Sequence, residues 1–216
     1  NKNIIGTSAD KPPYEFLQNG QIVGFDIDLL RHIGEELNKE IEIKNMDFVG
    51  LLPALTHSHV DMIAAAISVT PERQKHIDFS DIYTSSVIAV LTLEDKIKQI
   101  DNIKNITIGA QIGTIWSSVA KDLAAKQNNM VKLLSNNLIL VEELKNKNVD
   151  IVILERLQAQ KFKQQYPAFS YFILNGYKSE FAFGFAKKSA IKADINQAIT
   201  ALKAKGIIKK LQEKWL

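Results

Sequence analysis

Arg73 stands where a cation is least expected. Thr70-Pro71-Glu72 reads as a helix start: Thr70 can cap, Pro71 suits the first helical position, and Glu72 suits the positive end of the dipole. An arginine in that first turn sits in an unfavourable field, and something must offset it. A carboxylate ligand held bidentately matches the planar fork of a guanidinium. A structural salt bridge to Asp78 or Asp81 is the alternative. Arg31, Arg73 and Arg156 are the arginines of a chain that otherwise uses lysine for its positive charge.

Three other places carry candidate chemistry. Gly113-Thr114 turns a strand into a helix, where backbone N–H groups can face an anion; a plain glycine turn reads equally well. Glu155 follows the apolar run Asp150–Leu154, at the edge where α/β sheets bind ligands. It can hold an ammonium group, or it can cap the next helix. Asp26 and Asp28 open a further helix, where they favour the dipole. His57 and His59, two apart at a helix end, diverge rather than chelate. There is no cysteine, no Gly-x-Gly-x-x-Gly, no Walker loop and no Gly-x-Ser-x-Gly elbow. No cofactor and no metal is expected.

Composition narrows the class. The 216 residues are 46% hydrophobic and 24% charged, which is ordinary globular usage. The longest apolar runs, Met62–Ile67 and Phe181–Ala186, fall far short of the roughly 18 residues that span a bilayer. Net charge is +3 and spread along the chain, so no basic stripe for nucleic acid is present. The chain opens close to its first strand, as a processed or trimmed secreted protein would and as a cytosolic protein would equally.

The elements that position these residues alternate. A strand around Ile4–Ile5 is followed by a polar loop at Asp10–Pro13. The apolar spacing Phe25, Leu29, Leu30, Ile33, Leu37 predicts a helix over Phe25–Lys39. Then come a strand at Ile41–Ile43, a short helix at Leu51–Leu55 and a buried strand at Met62–Ile67. That order implies a parallel sheet with helices on its faces. After Val87–Thr92 a second α/β pattern runs to Leu174. The strand Phe181–Ala186 and two helices, with stripes Ile191, Ile195, Ile199, Leu202 and Ile207, Leu211, Trp215, have no sheet of their own to cover. Returning them to the first lobe gives a discontinuous lobe 1 of 1–88 plus 181–216 and a lobe 2 of 89–180. Two crossings of this kind would form a hinge.

In these same segments the chain resembles the bacterial extracellular solute-binding proteins of family 3, the amino-acid-binding subunits of ABC importers. Gly24-Phe25-Asp26-Ile27-Asp28-Leu29 with Ile33, Gly34 and Leu37 matches the family signature. So do Pro13-Tyr14-Glu15-Phe16, Gly50-Leu51-Leu52-Pro53-Ala54-Leu55, Thr70-Pro71-Glu72-Arg73, Asp78-Phe79-Ser80-Asp81, Gly113-Thr114 and Lys214-Trp215. Each piece is weak alone; their order and spacing together are specific.

The resemblance implies an α/β, two-lobe, type II periplasmic-binding-protein fold, each lobe a mostly parallel sheet flanked by helices, joined by a two-strand hinge. It implies that Arg73 clamps an α-carboxylate, helped by backbone N–H groups at Ser68 and near Thr114 and Ile115. It implies that Glu155, the Ser68 hydroxyl and the Ala66 carbonyl meet the α-ammonium. Ser8, Asp10, Lys11, Tyr14, Phe48 and Gln111 would line the side-chain pocket. Glu155 stands where the family usually has aspartate and is similar to arginine-binding members. Lys11 stands where an aromatic is common, and Ser8 where Asp or Asn is common; both remove support for a cationic ligand.

The expected function is therefore capture of a polar L-amino acid, arginine first and glutamine second, by lobe closure and delivery to a membrane ABC permease. A monomer in the periplasm or outside the cell is expected. The rival readings are an enzyme on the same scaffold, like the cyclohexadienyl dehydratases, with Glu155 as proton donor, or a ligand-binding sensor domain cut from a larger receptor.

Overall fold

The structure is a computed structural model that describes residues 2–93, 95 and 97–216. The chain divides into two compact units, Asn1–Ser85 with Glu180–Leu216, and Ser86–Ser179.

Unit 1 opens with β1 (Lys2–Thr7), β2 (Asp10–Lys11), β3 (Glu15–Gln18), β4 (Gln21–Val23), α1 (Phe25–Glu36), β5 (Glu40–Asn45), α2 (Phe48–Thr56), β6 (Met62–Ile63), α3 (Pro71–Gln74) and β7 (Ile77–Phe79). β8 (Thr84–Thr92) carries the chain into unit 2, which holds β9 (Thr107–Gln111), α4 (Ile115–Lys126), β10 (Met130–Leu134), α5 (Asn137–Lys145), β11 (Ile151–Glu155) and α6 (Arg156–Gln165). β12 (Ser170–Phe181) carries it back to β13 (Gly184–Ala186), α7 (Lys192–Ala204) and α8 (Ile207–Trp215). The two passages between units thus lie inside strands.

The sheet of unit 1 runs β5-β1-β6-β13-β7. β1 is parallel to β5 and β6, whereas β13 is antiparallel to β6 and β7. A sequence read as β-α-β-α-β gives the parallel part; the antiparallel strand comes from the far end of the chain, where local order carries no such signal. α1 buries Phe25, Leu29, Leu30 and Ile33, and α7 and α8 pack against it. Gly206, at φ 74°, makes the sharp turn that lets α8 follow α7 directly.

The sheet of unit 2 runs β10-β9-β11-β8-β12 and is apolar on both faces. On β11, Ile151 and Ile153 join one core with Trp116, Val119 and Leu123 of α4. Val152 and Leu154 join the other with Leu140, Val141, Leu144 and Phe162 of α5 and α6. Period-two alternation with both sides covered is why this strand reads as an unbroken apolar run.

Three local expectations need correction. Asp10–Pro13 is no exposed loop: β2 pairs antiparallel with β3, Lys11 opposite Glu15, in a small sheet β2-β3-β4. Asp10 and Lys11 are buried, and their mutual ion pair at 2.7 Å is what lets two charges leave water together. The strand expected over Met62–Ile67 stops at Ile63, because Ala66 adopts φ 47°, a left-handed conformation that breaks the ladder. The strand expected over Phe181–Ala186 begins only at Gly184; Phe181 ends β12 instead.

Gly24 closes the hairpin onto α1 at φ 134°, and a Cβ there would lie 2.2 Å from the Tyr14 carbonyl oxygen. Only glycine fits, which ties the Pro13–Glu15 segment to the start of α1.

Candidate functional site

Each unit carries its own set of candidate residues. In unit 1, Thr70 caps α3, accepting the Arg73 N–H at 3.2 Å. The Arg73 guanidinium donates to the Ser68 carbonyl at 2.7 Å, and its central carbon lies 5.8 Å from the Phe48 ring centroid. Burial pulls its pKa down to about 10, so it stays cationic at neutral pH. The salt-bridge alternative has other arrangements. Asp78 pairs with Lys187 at 3.3 Å and accepts the Lys188 N–H at 3.0 Å. Those contacts hold its carboxyl below the usual range. Among the described residues, neither Asp78 nor Asp81 pairs with Arg73.

Ser68 is buried, bridges to Phe181, and so holds the Arg73 acceptor in place. Two residues before it, Ala66 turns in its left-handed conformation. The Ala66 N–H donates to Asp26 Oδ2 at 3.0 Å, and the Tyr83 hydroxyl donates to the same oxygen at 2.9 Å. Asp26 therefore does more than favour a helix dipole. It is buried, makes no cap bond on its own helix, and pins the Ala66–Ser68 turn to α1. Asp28 on the same turn accepts from Lys214 at 2.9 Å and from the Trp215 indole at 2.7 Å, which ties α8 to α1. Sequence reasoning quoted Asp26, Asp28, Lys214 and Trp215 as motif residues but could not see these long-range bonds.

Near the pinned turn lies a second buried acid. Burial, reinforced by the charge of Asp26, pushes the Glu15 carboxyl well above the carboxylate range. Asp26 is also raised by burial, against its hydrogen bonds. Both carboxyls are thus held above their usual range, Glu15 more strongly than Asp26. A folded-state pKa above the unfolded value of 4.5 means that the folded chain holds a proton the unfolded chain releases. Stability should then fall as pH rises above that value. Glu15→Gln keeps the shape of the side chain without the titration. It is expected to flatten the decline in urea midpoint as pH rises above the ordinary glutamate range. An unchanged decline would place the titrating group elsewhere.

Ser8, Asp10 and Lys11 form one buried group. The Ser8 hydroxyl and the Lys11 ammonium both donate to Asp10 Oδ1, at 3.0 and 2.7 Å. The Lys11 ammonium also lies 4.5 Å above the Phe48 ring. Phe48 is the first residue of α2 and packs into the unit 1 core. Tyr14 is wholly buried, its ring edge-on to Phe25 and Phe181.

In unit 2, Glu155 is fully buried and is the N-cap of α6. Its Oε1 accepts the Leu157 N–H at 2.7 Å and the Ser86 hydroxyl at 2.6 Å; Oε2 accepts the Gln158 N–H at 3.1 Å. Both the cap reading and a buried carboxylate at a strand end thus describe the same residue. Ser86, in β8, was not foreseen; only its place in the polar stretch just before the expected strand Val87–Thr92 hinted at it. Thr114 caps α4 through Ser117, and its hydroxyl donates to the Gln111 carbonyl at 2.6 Å. Ile115 is the first residue of that helix. The Gln111 amide donates to the Ser135 carbonyl at 2.9 Å. Among the described residues no group of His, Cys, Asp and Glu is arranged to hold a metal ion, and no helix is long and apolar enough to cross a membrane.

Known proteins are similar to this chain in sequence and fold. The sequence profile of the bacterial extracellular solute-binding proteins, family 3, matches residues 4–216. The arginine-binding extracellular protein ArtP of Bacillus subtilis is 31% identical over 218 residues, covering 99% of this chain and 86% of that protein. The solved structure of the arginine-, lysine-, histidine-binding protein ArtJ of Geobacillus stearothermophilus matches with TM-score 0.95 at 28% identity, covering 100% of this chain and 95% of the other. An ancestral arginine-binding protein bound to glutamine matches with TM-score 0.93 at 32% identity, covering 100% and 97%. The fold is that of the type II periplasmic binding proteins. A profile match over residues 4–216 and a relative above 30% identity across nearly the whole chain establish the family: the chain belongs to the bacterial extracellular solute-binding proteins, family 3.

Proposed function

We propose that this protein captures a polar L-amino acid and delivers it to a membrane ABC permease. The observation that carries the reading is Arg73: a cation in a first helical turn, fixed by the Ser68 carbonyl, with Asp78 engaged elsewhere. In this reading Arg73 and the N–H groups of Ser68 and Ile115 take the α-carboxylate. Glu155, the Ser68 hydroxyl and the Ala66 carbonyl take the α-ammonium. Asp26 positions the Ala66–Ser68 turn, and Ser86 with the α6 N-terminus positions Glu155. Contacts from both units would favour a closed state by their differential affinity for it. The names of relatives bring arginine forward, and the glutamine-bound ancestral protein brings glutamine.

Glu155 also bears on the enzyme alternative. Two backbone N–H donors and a hydroxyl point at its oxygens. A proton donor would have to turn away from all three, which favours the receptor. The test is a thermal-shift screen of ligand-stripped protein with the twenty amino acids, ornithine and citrulline. A ligand that binds only the folded form raises the midpoint by mass action. At least one polar amino acid is expected to do so, and a flat response to the whole panel would end the reading.

A further inference from the structure

We infer that Lys11 sets the side-chain preference of this receptor, selecting ligands whose side chain ends in an acceptor oxygen, the amide of glutamine first, and rejecting guanidinium and ammonium side chains. The inference rests on the amino-acid-receptor reading and deepens it.

Lys11 is 0% exposed. An ammonium has three N–H donors and no acceptor. Asp10 Oδ1 takes one, at 2.7 Å, and the face of Phe48 lies 4.5 Å from the nitrogen. Among the described residues no further protein acceptor reaches it. A buried donor without an acceptor is costly, and an oxygen arriving with the ligand would satisfy it. The same ring faces Arg73 at 5.8 Å, so the two cations share one aromatic wall. If Arg73 holds the α-carboxylate, Lys11 lies within reach of the groups beyond it.

Charge points the same way. Lys11 pairs directly with Asp10, whose Oδ1 also accepts the Ser8 hydroxyl, and the Lys11 charge is felt by the buried Glu15 and Asp26 as well. An arginine or lysine side chain brought here would meet a buried cation, and the nearest carboxylate oxygen already accepts two donors. Rejection by a like charge is stronger discrimination than a missing contact. A neutral amide disturbs no charge and offers its oxygen. A carboxylate also offers oxygen and would neutralise Lys11 in competition with Asp10.

The test is calorimetric titration of ligand-stripped protein with glutamine, asparagine, glutamate, citrulline, arginine and lysine, on wild type and on Lys11→Met. Methionine keeps the volume and removes the charge. On wild type, glutamine should bind at least about 100-fold tighter than arginine and tighter than glutamate, and glutamate binding tighter than glutamine would overturn the amide preference. In Lys11→Met, glutamine should weaken by about tenfold or more while arginine strengthens, because Asp10 is released to a cationic side chain. Arginine or lysine binding tightest to wild type would overturn the inference and leave the receptor reading intact. Binding by none of the amino acids would remove both. The wild-type comparison decides even if the variant fails to fold.

Discussion

Arg73→Ala is expected to abolish amino-acid binding while leaving the melting temperature of the unliganded protein nearly unchanged. The two effects differ in size because a hydrogen bond within the folded chain contributes little net stability, whereas a bound carboxylate loses its counter-charge. The guanidinium donates to the Ser68 carbonyl, and its central carbon lies 5.8 Å from the Phe48 ring centroid. One such hydrogen bond contributes about 1 kcal/mol. Part of that is returned when a cation leaves the positive end of a helix dipole. A bound carboxylate is another matter. Stripped of its bidentate partner in a partly buried site, it loses about 3–5 kcal/mol, or about a hundredfold to several thousandfold in affinity. Titration calorimetry and a melting curve on the same preparation measure both. A large fall in apo stability with binding intact would return Arg73 to a structural role.

Glu155→Gln is expected to weaken binding by about 100-fold, since the α-ammonium loses a buried counter-charge. Here some stability is lost too. The two carboxylate oxygens cap α6 through the Leu157 and Gln158 N–H groups. A glutamine can offer one oxygen but must turn its NH2 toward the other donor. A weakened N-cap costs about 1 kcal/mol, visible as a shift of a few degrees in the melting midpoint. Ser86→Ala serves as the comparison: it removes only the hydroxyl on Oε1 and should affect binding far less. Full affinity in the glutamine variant would leave Glu155 as a helix cap and nothing more.

Much of this molecule is written in local pattern. The stripe Phe25–Ile33, the turn Gly113-Thr114 and the boundaries of α4 and α6 follow from periodicity and capping, because each is decided by neighbours within one or two turns. Legibility ends where a residue answers to a distant one. Asp26 looked like a dipole partner because its acceptor role is spent on Ala66, 40 positions away, and on Tyr83, 57 away. Met62–Ile67 looked like a strand because the run is apolar throughout, yet Ala66 turns at the ligand-facing end of the proposed site. The segment around Lys11 reads as a loop because its burial depends on Asp10, Phe48 and a hairpin whose strands are too short to announce themselves. The places where local reading failed are those where the chain bends itself around the candidate site, as expected if such sites are where local preference yields to function.

The account stands on an α-carboxylate meeting Arg73, and one comparison tests that contact alone. Take an L-amino acid that binds, and its α-carboxamide, which keeps the side chain and the ammonium but carries no acid. Titrate both into wild type and into Arg73→Ala. The account predicts that the carboxamide binds wild type about 100-fold more weakly, and that the difference largely vanishes in Arg73→Ala. Equal affinity of the acid and its carboxamide for the wild-type protein would contradict it.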